Sequence, residues 1–493
     1  MVFESLQRHR ALRLLPLLCL IALLATIGAV TRRDTVPRKD ASDNLLTGFH
    51  VWTTGNFSRD GQTLTYRREP LPIALTGVHM ALFTGIPSTA AASELLTTRA
   101  YFAAADRVNL YYGIALSLAL WLLAWQLTGS QVVAALAIVG SWIYFVYGEL
   151  GWQHTELPAA LFMALAAACC IWLQRSLRIS AALLAGVMLG ALALTKASAL
   201  YVAVVAIPML ALAQIALNGT AVWRAAALYG LMGLAFAATI TPWMLRNYVQ
   251  FGDFAISQRG GEVLLIRAVK NQMTPDEYAG AFYVYAPPGL QKAVFERLLG
   301  FDASDIEEGG RYSRLNRNLP SDKAALHAHD YEHLVSYYQR AKWTIPQAIR
   351  KDLAAQGLPL TAYGAAAHAY AMHMIEEAPL KHLTMTLPFA WRGLWGMGDA
   401  WKLNLAVYLA LLALPLAAIF TRRMDWFALS IVANGFFWFH ALLTHFIPRY
   451  SEPLVPLAIL SLLVLVHALY LRAAARLGGR YDFHAFLQQR GTV

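Results

Sequence analysis

Long apolar runs alternate with short polar breaks through most of this chain, and the charges collect in the breaks. About 20 apolar residues cross a bilayer as a helix. The pattern therefore predicts ten spans, at 14–31, 108–127, 131–148, 157–173, 181–195, 197–215, 226–243, 403–420, 426–444 and 454–471. The run 181–216 is too long for one helix at about 1.5 Å per residue, and Thr195 and Lys196 divide it in two. The apolar stretch 70–85 opens with Pro70 and Pro72 and suits either a span or a helix lying at the interface; the arginine positions keep it out of the span count, because a span there would move every later loop to the other side. The expected fold is an all-α polytopic membrane protein. It divides into an N-terminal transmembrane region 1–245 with a first polar loop at 32–107, a polar segment 246–400, C-terminal helices 401–475 and a tail 476–493. Within 246–400, amphipathic pieces are expected at 358–375 and 379–395.

The arginines orient this bundle. Arg8, Arg10 and Arg13 before the first span place the N-terminus in the cytoplasm, and that span reads as retained, not as a cleaved signal peptide. Arg175, Arg178, Arg224, Arg422, Arg423, Arg472, Arg476 and Arg480 then fall on the same side, so both termini are expected to be cytoplasmic. Arg32 and Arg33 run against the rule. Both large polar segments, and the turns at 149–156, 195–196 and 444–453, then share the extracytoplasmic face.

Composition agrees with the spans. Hydrophobic residues are 58% and charged residues 14% of the chain, with a mean hydropathy of +0.46, which is outside the range of ordinary soluble domains. The net charge of +11 is explained by orientation and lipid headgroups. With no zinc-finger pattern and no phosphate-binding glycine loop, a nucleic-acid partner is not expected. Cys19, Cys169 and Cys170 lie inside apolar runs and read as small packing residues.

This topology gathers acids and bases on one face: Asp40, Asp43, Arg67, Arg68 and Glu69 from the first loop, Glu149, His154, Glu156 and Lys196 from the turns, Arg246 and Asn247 after the seventh span, and His445, Arg449, Tyr450 and Glu452 between the last two. Charge at membrane depth is costly unless it is paired or faces a polar cavity. A shared face of this kind suits an anionic ligand whose tail stays in lipid. Each residue also has a structural reading. Lys196 suits a snorkelling helix end, Arg246 an interfacial anchor, Glu156 a first-turn acid, and Asp40 a loop carboxylate beside Arg38 and Lys39. The chemistry that would use them together is sugar transfer from a polyprenyl phosphate. A cation stabilises the departing phosphate and a carboxylate takes the acceptor's proton. The alternative is a transporter or flippase of lipid-linked sugars, but the chain shows neither internal repeats nor midplane charges.

Six stretches resemble the GT-C superfamily of membrane glycosyltransferases, in the branch of protein O-mannosyltransferases and the lipid A aminoarabinose transferase. They are DASDNLLTGFHVWTTGNFS at 40–58, YRREPLPIA at 66–74, HTELPAALF at 154–162, LGALALTKASAL at 189–200, TPWMLRNYVQFGDF at 241–254 and IPRYSEPLVPLA at 447–458. They occur in the family's order. The resemblance implies a GT-C-type fold with interfacial helices in the first loop. It also implies an inverting transferase that uses a polyprenyl-phosphate sugar at the extracytoplasmic face, and a lipid, glycan or protein acceptor. Counting back from Gly55 and Phe57 puts Asp40 at the family's catalytic aspartate, with Asp43 close by. The family's aromatic four residues on is Asn44 here, so the choice between the two stays open. Lys196, Arg246, Arg449 and Tyr450 are then expected at the phosphate, Arg67, Arg68 and Glu69 at the donor headgroup, and Glu156 at the acceptor or a cation. Some relatives bind a divalent cation near the site, to which Glu69 or Glu156 would contribute. The resemblance places the chain in the bacterial inner membrane. The aromatic stretch 280–289 is expected as a lid whose rings stack on sugars or anchor at the interface.

Overall fold

The structure is a computed structural model that describes residues 2–359 and 362–476. The side chains of residues 1–13, which carry the first orientation signal, and the expected tail beyond Arg476 lie outside the described residues. Among the described residues the chain is helical throughout, apart from one isolated bridge between Ser58 and Leu64.

Nine of the described helical segments are long and apolar enough to cross a membrane: Leu14–Thr31, Arg99–Thr128, Gln131–Glu149, Glu156–Ser176, Ser198–Asn218, Val222–Phe251, Trp401–Thr421, Met424–Leu443 and Pro448–Arg476. The tenth expected span is the shorter helix Ile179–Ala193. It forms a hairpin with Glu156–Ser176 and packs along Val222–Phe251. That packing is glycine-dependent. A Cβ on Gly186 would stand 2.2 Å from the Met232 carbonyl oxygen, and one on Gly190 would stand 2.5 Å from Thr239 Cβ. Small residues four apart let two membrane helices approach backbone to backbone. Gly186→Leu should therefore force the pair apart and cost about 1–3 kcal/mol, read as a lower melting temperature of the purified protein in detergent.

The helix Pro70–Phe83 has 14 residues. It lies against Asp40–Thr54 and touches the bundle at its own N-terminus, where the Leu71 amide donates to the Leu194 carbonyl at 3.1 Å. Like Ile179–Ala193, it is shorter than the nine long apolar helices. Two boundaries differ from expectation. The seventh span runs to Phe251, carrying Arg246 and Asn247 into its last turns, and the second span begins as a helix at Arg99. In both, the polar residues sit on helical turns that continue past the apolar run.

Arg32, which runs against the orientation rule, is tied down locally. It pairs with Asp34 at 3.0 Å and donates to the Ala103 carbonyl at 2.9 Å, so its charge is compensated.

The segment after Phe251 folds as short helices, including Gly260–Val269, Pro275–Val284, Tyr363–Glu376, Pro379–Thr384 and Thr386–Gly393. The last three coincide with the expected amphipathic pieces. Of the aromatics of 280–289, Phe282 is half-buried and the two tyrosines are buried. Tyr283 is 1% and Tyr285 6% exposed, Tyr283 packing on Phe295 and Phe301. The turn before Pro287 and Pro288 tucks these rings under the following helices.

Candidate functional site

The site is built where the first loop, the turns and the last interhelical loop meet at one end of the bundle. Asp40 and Asp43 occupy the first turn of Asp40–Thr54, where the helix dipole favours negative charge. Three residues apart, they share one face. Pro70 opens the next helix and holds Glu69 extended, at φ −67° and ψ 134°. That places Arg68 beside both carboxylates. Arg68 is buried, and its Nη2 donates to Asp40 Oδ1 and, at 3.1 Å, to Asp43 Oδ2.

From the far end of the sequence, Arg449 Nη2 donates to Asp40 Oδ2 at 2.7 Å. Its Nε lies 3.3 Å from Glu156 Oε1. Glu156, 1% exposed, also accepts from Lys196 Nζ at 2.9 Å. Lys196 sits in the turn between Ile179–Ala193 and Ser198–Asn218. The result is one continuous chain of charge, Asp43–Arg68–Asp40–Arg449–Glu156–Lys196, drawn from five separated stretches of sequence. Asp40 is the carboxylate at its centre, and Asp43 is its outer end.

Other expected members fall outside this chain. Glu69 accepts from the Ala197 amide at 3.4 Å and so props the Lys196 turn. Tyr450 packs against His440 at a tilt and meets His445 edge-on, at ring separations of 5.0 and 5.4 Å. Arg67 is exposed. Arg246 is held away, with its guanidinium 4.8 Å from the Trp243 ring centre and Nη1 donating to the Thr65 carbonyl at 3.3 Å. It anchors the first loop to the long helix Val222–Phe251.

Two arginines escaped the sequence reading. Arg259 Nη1 lies 3.8 Å from Asp40 Oδ1, and Arg59 Nε 2.8 Å from Asp43 Oδ1. Neither belongs to a motif, and only the folding of both polar segments over the site brings them in. Asn44, the departure from the family pattern, is buried and donates to the Gln153 carbonyl at 2.7 Å. It ties the aspartate helix to the 149–156 turn.

Burial alone would raise the Asp40 carboxyl. Hydrogen bonds and charge from Arg68, with Arg449 and Arg259, outweigh it and hold Asp40 well below the usual carboxylate range. It is a carboxylate at every physiological pH.

No family model matches the chain, and no curated protein matches it. Among solved structures, the archaeal oligosaccharyltransferase AglB from Archaeoglobus fulgidus, in complex with an inhibitory peptide and a dolichol-phosphate, superposes over 94% of this chain and 52% of its own, at 13% identity and a TM-score of 0.49. ArnT from Cupriavidus metallidurans bound to undecaprenyl phosphate superposes over 92% of this chain and 77% of its own, at 11% identity and a TM-score of 0.37. The chain spans about half the length of the archaeal protein.

Beside the charge chain, Glu149, His154 and Glu156 bring three ligand atoms within 4.8 Å of one another. His154 Nδ1 lies 3.5 Å from Glu149 Oε2, and both atoms lack a hydrogen-bond partner. Two carboxylates and an imidazole are a donor set that fits a divalent cation, and the two orphaned atoms are the ones such an ion would satisfy. His154 also stacks on Trp152 at 5.3 Å, which fixes its ring.

Two histidines behind the site are held neutral. Burial, then the charge of Arg267, pushes His382 down to about 4. Burial, then Lys270 and Arg392, pushes His445 well below its ordinary value. The unfolded chain takes up protons below pH 6.5 that the folded chain refuses, so stability is full above about pH 6.5 and falls as the pH drops toward 4. The melting temperature should fall between about pH 7 and pH 5, and the slope should be shallower in His382→Gln.

Proposed function

We propose that this chain is a GT-C-type membrane glycosyltransferase. It moves a sugar from a polyprenyl-phosphate donor to a lipid, glycan or protein acceptor at the extracytoplasmic face of the bacterial inner membrane. The observation that carries this reading is Asp40 held between Arg68 and Arg449 at the end of a membrane helix bundle, with Arg449 bridging to Glu156 and Lys196. A base stands next to a set of phosphate-binding cations, and the residues are those of the ordered motifs.

In the reaction, the acceptor's hydroxyl or amine attacks the sugar's anomeric carbon from the face opposite the phosphate. Its proton passes to an Asp40 oxygen. The bond from the anomeric carbon to the phosphate oxygen breaks, and the electron pair leaves with the phosphate. The configuration inverts, and no acid is needed because the phosphate leaves as an anion. Arg449 and Lys196 stabilise that charge. Their engagement by phosphate also explains how Asp40 becomes an adequate base. As Arg449 turns from Asp40 to the phosphate, the cationic pull on Asp40 falls and its proton affinity rises. Glu156 holds both cations in place between turnovers.

Glu149, His154 and Glu156 would hold a divalent cation, which would supply positive charge against the phosphate. His154→Ala should lower the metal that copurifies with the protein, measured by elemental mass spectrometry, and chelation should slow transfer.

The test is transfer by purified protein in detergent, supplied with a panel of polyprenyl-phosphate sugars and a membrane extract as acceptor. Transfer that is lost in the Asp40→Asn/Asp43→Asn double variant supports the enzyme. Unimpaired turnover in that variant removes the proposed base. Donor movement across proteoliposomes with no transfer from any donor makes the protein a transporter.

A further inference from the structure

A second set of charges lies behind Tyr450, and it is unbalanced. Lys270 is 3% exposed and Arg267 is fully buried. Arg392 is half-buried and Arg317 is exposed. Among the described residues no carboxylate forms an ion pair with any of the four. The neighbouring acid, Glu277, is already engaged by Arg314 at 3.5 Å and by the Tyr337 hydroxyl at 2.7 Å.

The partners of these cations are neutral. Lys270 Nζ donates to the Tyr285 hydroxyl at 3.2 Å. The Arg392 guanidinium stacks over the same ring at 4.5 Å, and its Nη1 donates to the His445 carbonyl at 3.1 Å. Arg267 donates to Asn271 Oδ1 at 2.7 Å and to the His382 carbonyl at 2.8 Å, over the Phe389 ring, while its Nε has no partner. His445, 5% exposed, has Nδ1 without a partner.

Arginine does not deprotonate, so at least two like charges stay buried or half-buried together. Such groups are paired or stand in a site that pairs them when a ligand arrives. Arg267 is fully buried and has no surface to offer. Arg392 and Arg317 are the two with surface to offer, and Lys270 backs them through Tyr285. Tyr338 lies between Arg317, 5.8 Å from its ring centre, and His445, and His445 meets Tyr450 edge-on. This places the cations on the far side of Tyr450 from Asp40.

The geometry points to a phosphate-binding subsite made by Arg392, Arg317 and Lys270, adjoining the Asp40 site across Tyr450 and Tyr338, that receives the phosphate of an anionic lipid substrate. The inference rests on the reading of the chain as a lipid-phosphate-dependent transferase. It adds a second phosphate position, apart from the one at Arg449 and Lys196. The phosphate belongs to a prenyl lipid or to a phosphorylated acceptor lipid, and the chemistry that recognises it is the same.

The experiment is thermal melting of the purified full chain in detergent at constant ionic strength, with farnesyl phosphate, farnesol, phosphatidic acid or inorganic phosphate. Farnesyl phosphate, phosphatidic acid or both should raise the melting temperature of the wild type, and farnesol should not. Lys270→Met should melt higher than wild type without ligand, since burial beside Arg392, Arg267 and Arg317 disfavours the charged lysine, and should weaken the apparent affinity for the phosphate probes at least tenfold. Arg317→Gln is a surface change that leaves the fold intact, and it should weaken affinity several-fold. A shift with farnesyl phosphate alone assigns the subsite to a prenyl lipid, and a shift with phosphatidic acid assigns it to an acceptor lipid. Phosphate-dependent shifts that are unchanged in both variants, or absent from the wild type with every probe, overturn the subsite. Asp40→Asn separates the two readings, because it should abolish transfer yet keep the Lys270-dependent shift.

Discussion

Asp40→Asn should reduce sugar transfer by about 10²–10⁴-fold, the usual contribution of a positioned general base, while the bundle stays folded. Asparagine keeps the shape but has one acceptor oxygen, so it can accept from Arg68 or from Arg449 in this arrangement and not from both; the network is weakened, and the remaining ion pairs hold it. What it loses is the capacity to take the acceptor's proton. Asp43→Asn should be milder, within about tenfold by the same scale, because Asp43 meets Arg68 and Arg59 but not Arg449. Initial rates at saturating donor separate the two, and the folded fraction is read from melting curves. Equal losses in both variants would make the aspartates a pair acting through Arg68, and Asp40 would lose its special place.

Removing Glu156 should have the largest effect on stability. It is the counter-charge shared by Lys196 at 2.9 Å and Arg449 at 3.3 Å. Glu156→Ala leaves two cations facing each other at a site with little access to water, and breaking a buried pair in this way costs about 3–5 kcal/mol. The double variant Glu156→Met/Lys196→Met should recover much of that loss, because a buried pair replaced by apolar volume is often neutral. Melting temperatures of the single and double variants check this. A single variant as stable as wild type would mean that Glu156 is not the element that holds these cations.

The bundle itself was legible from the apolar runs, since span length is set by bilayer thickness and leaves a strong local signal. The interfacial reading of 70–85 came from the arginine positions and the resemblance, and the turn at Lys196 from a charge inside an apolar run. Glu156, Lys196 and Arg449 could be gathered in advance because each sits at the edge of a span, where topology assigns a side, and Asp40 and Arg68 because the first loop is assigned to that same side. Arg259, Arg59 and the Lys270 cluster could not. They lie in segments whose fold depends on how short helices pack over the membrane end, and no periodicity records that. Arg246 was misplaced for the opposite reason: its helix runs on past the apolar stretch to Phe251, so a residue expected in a loop became an anchor on a helix flank.

The brevity of the helix Ile179–Ala193 has a mechanical consequence. It shares a tight hairpin with a helix of 21 residues, yet has only 15 itself. Six fewer residues at about 1.5 Å each leave its outer end roughly 9 Å short of its neighbour's. Lys196 climbs back from that step to reach Glu156. If the proposed lipid-linked donor is the substrate, this step lets its headgroup reach Lys196 from the side of the leaflet, and its isoprenoid tail stays in lipid throughout.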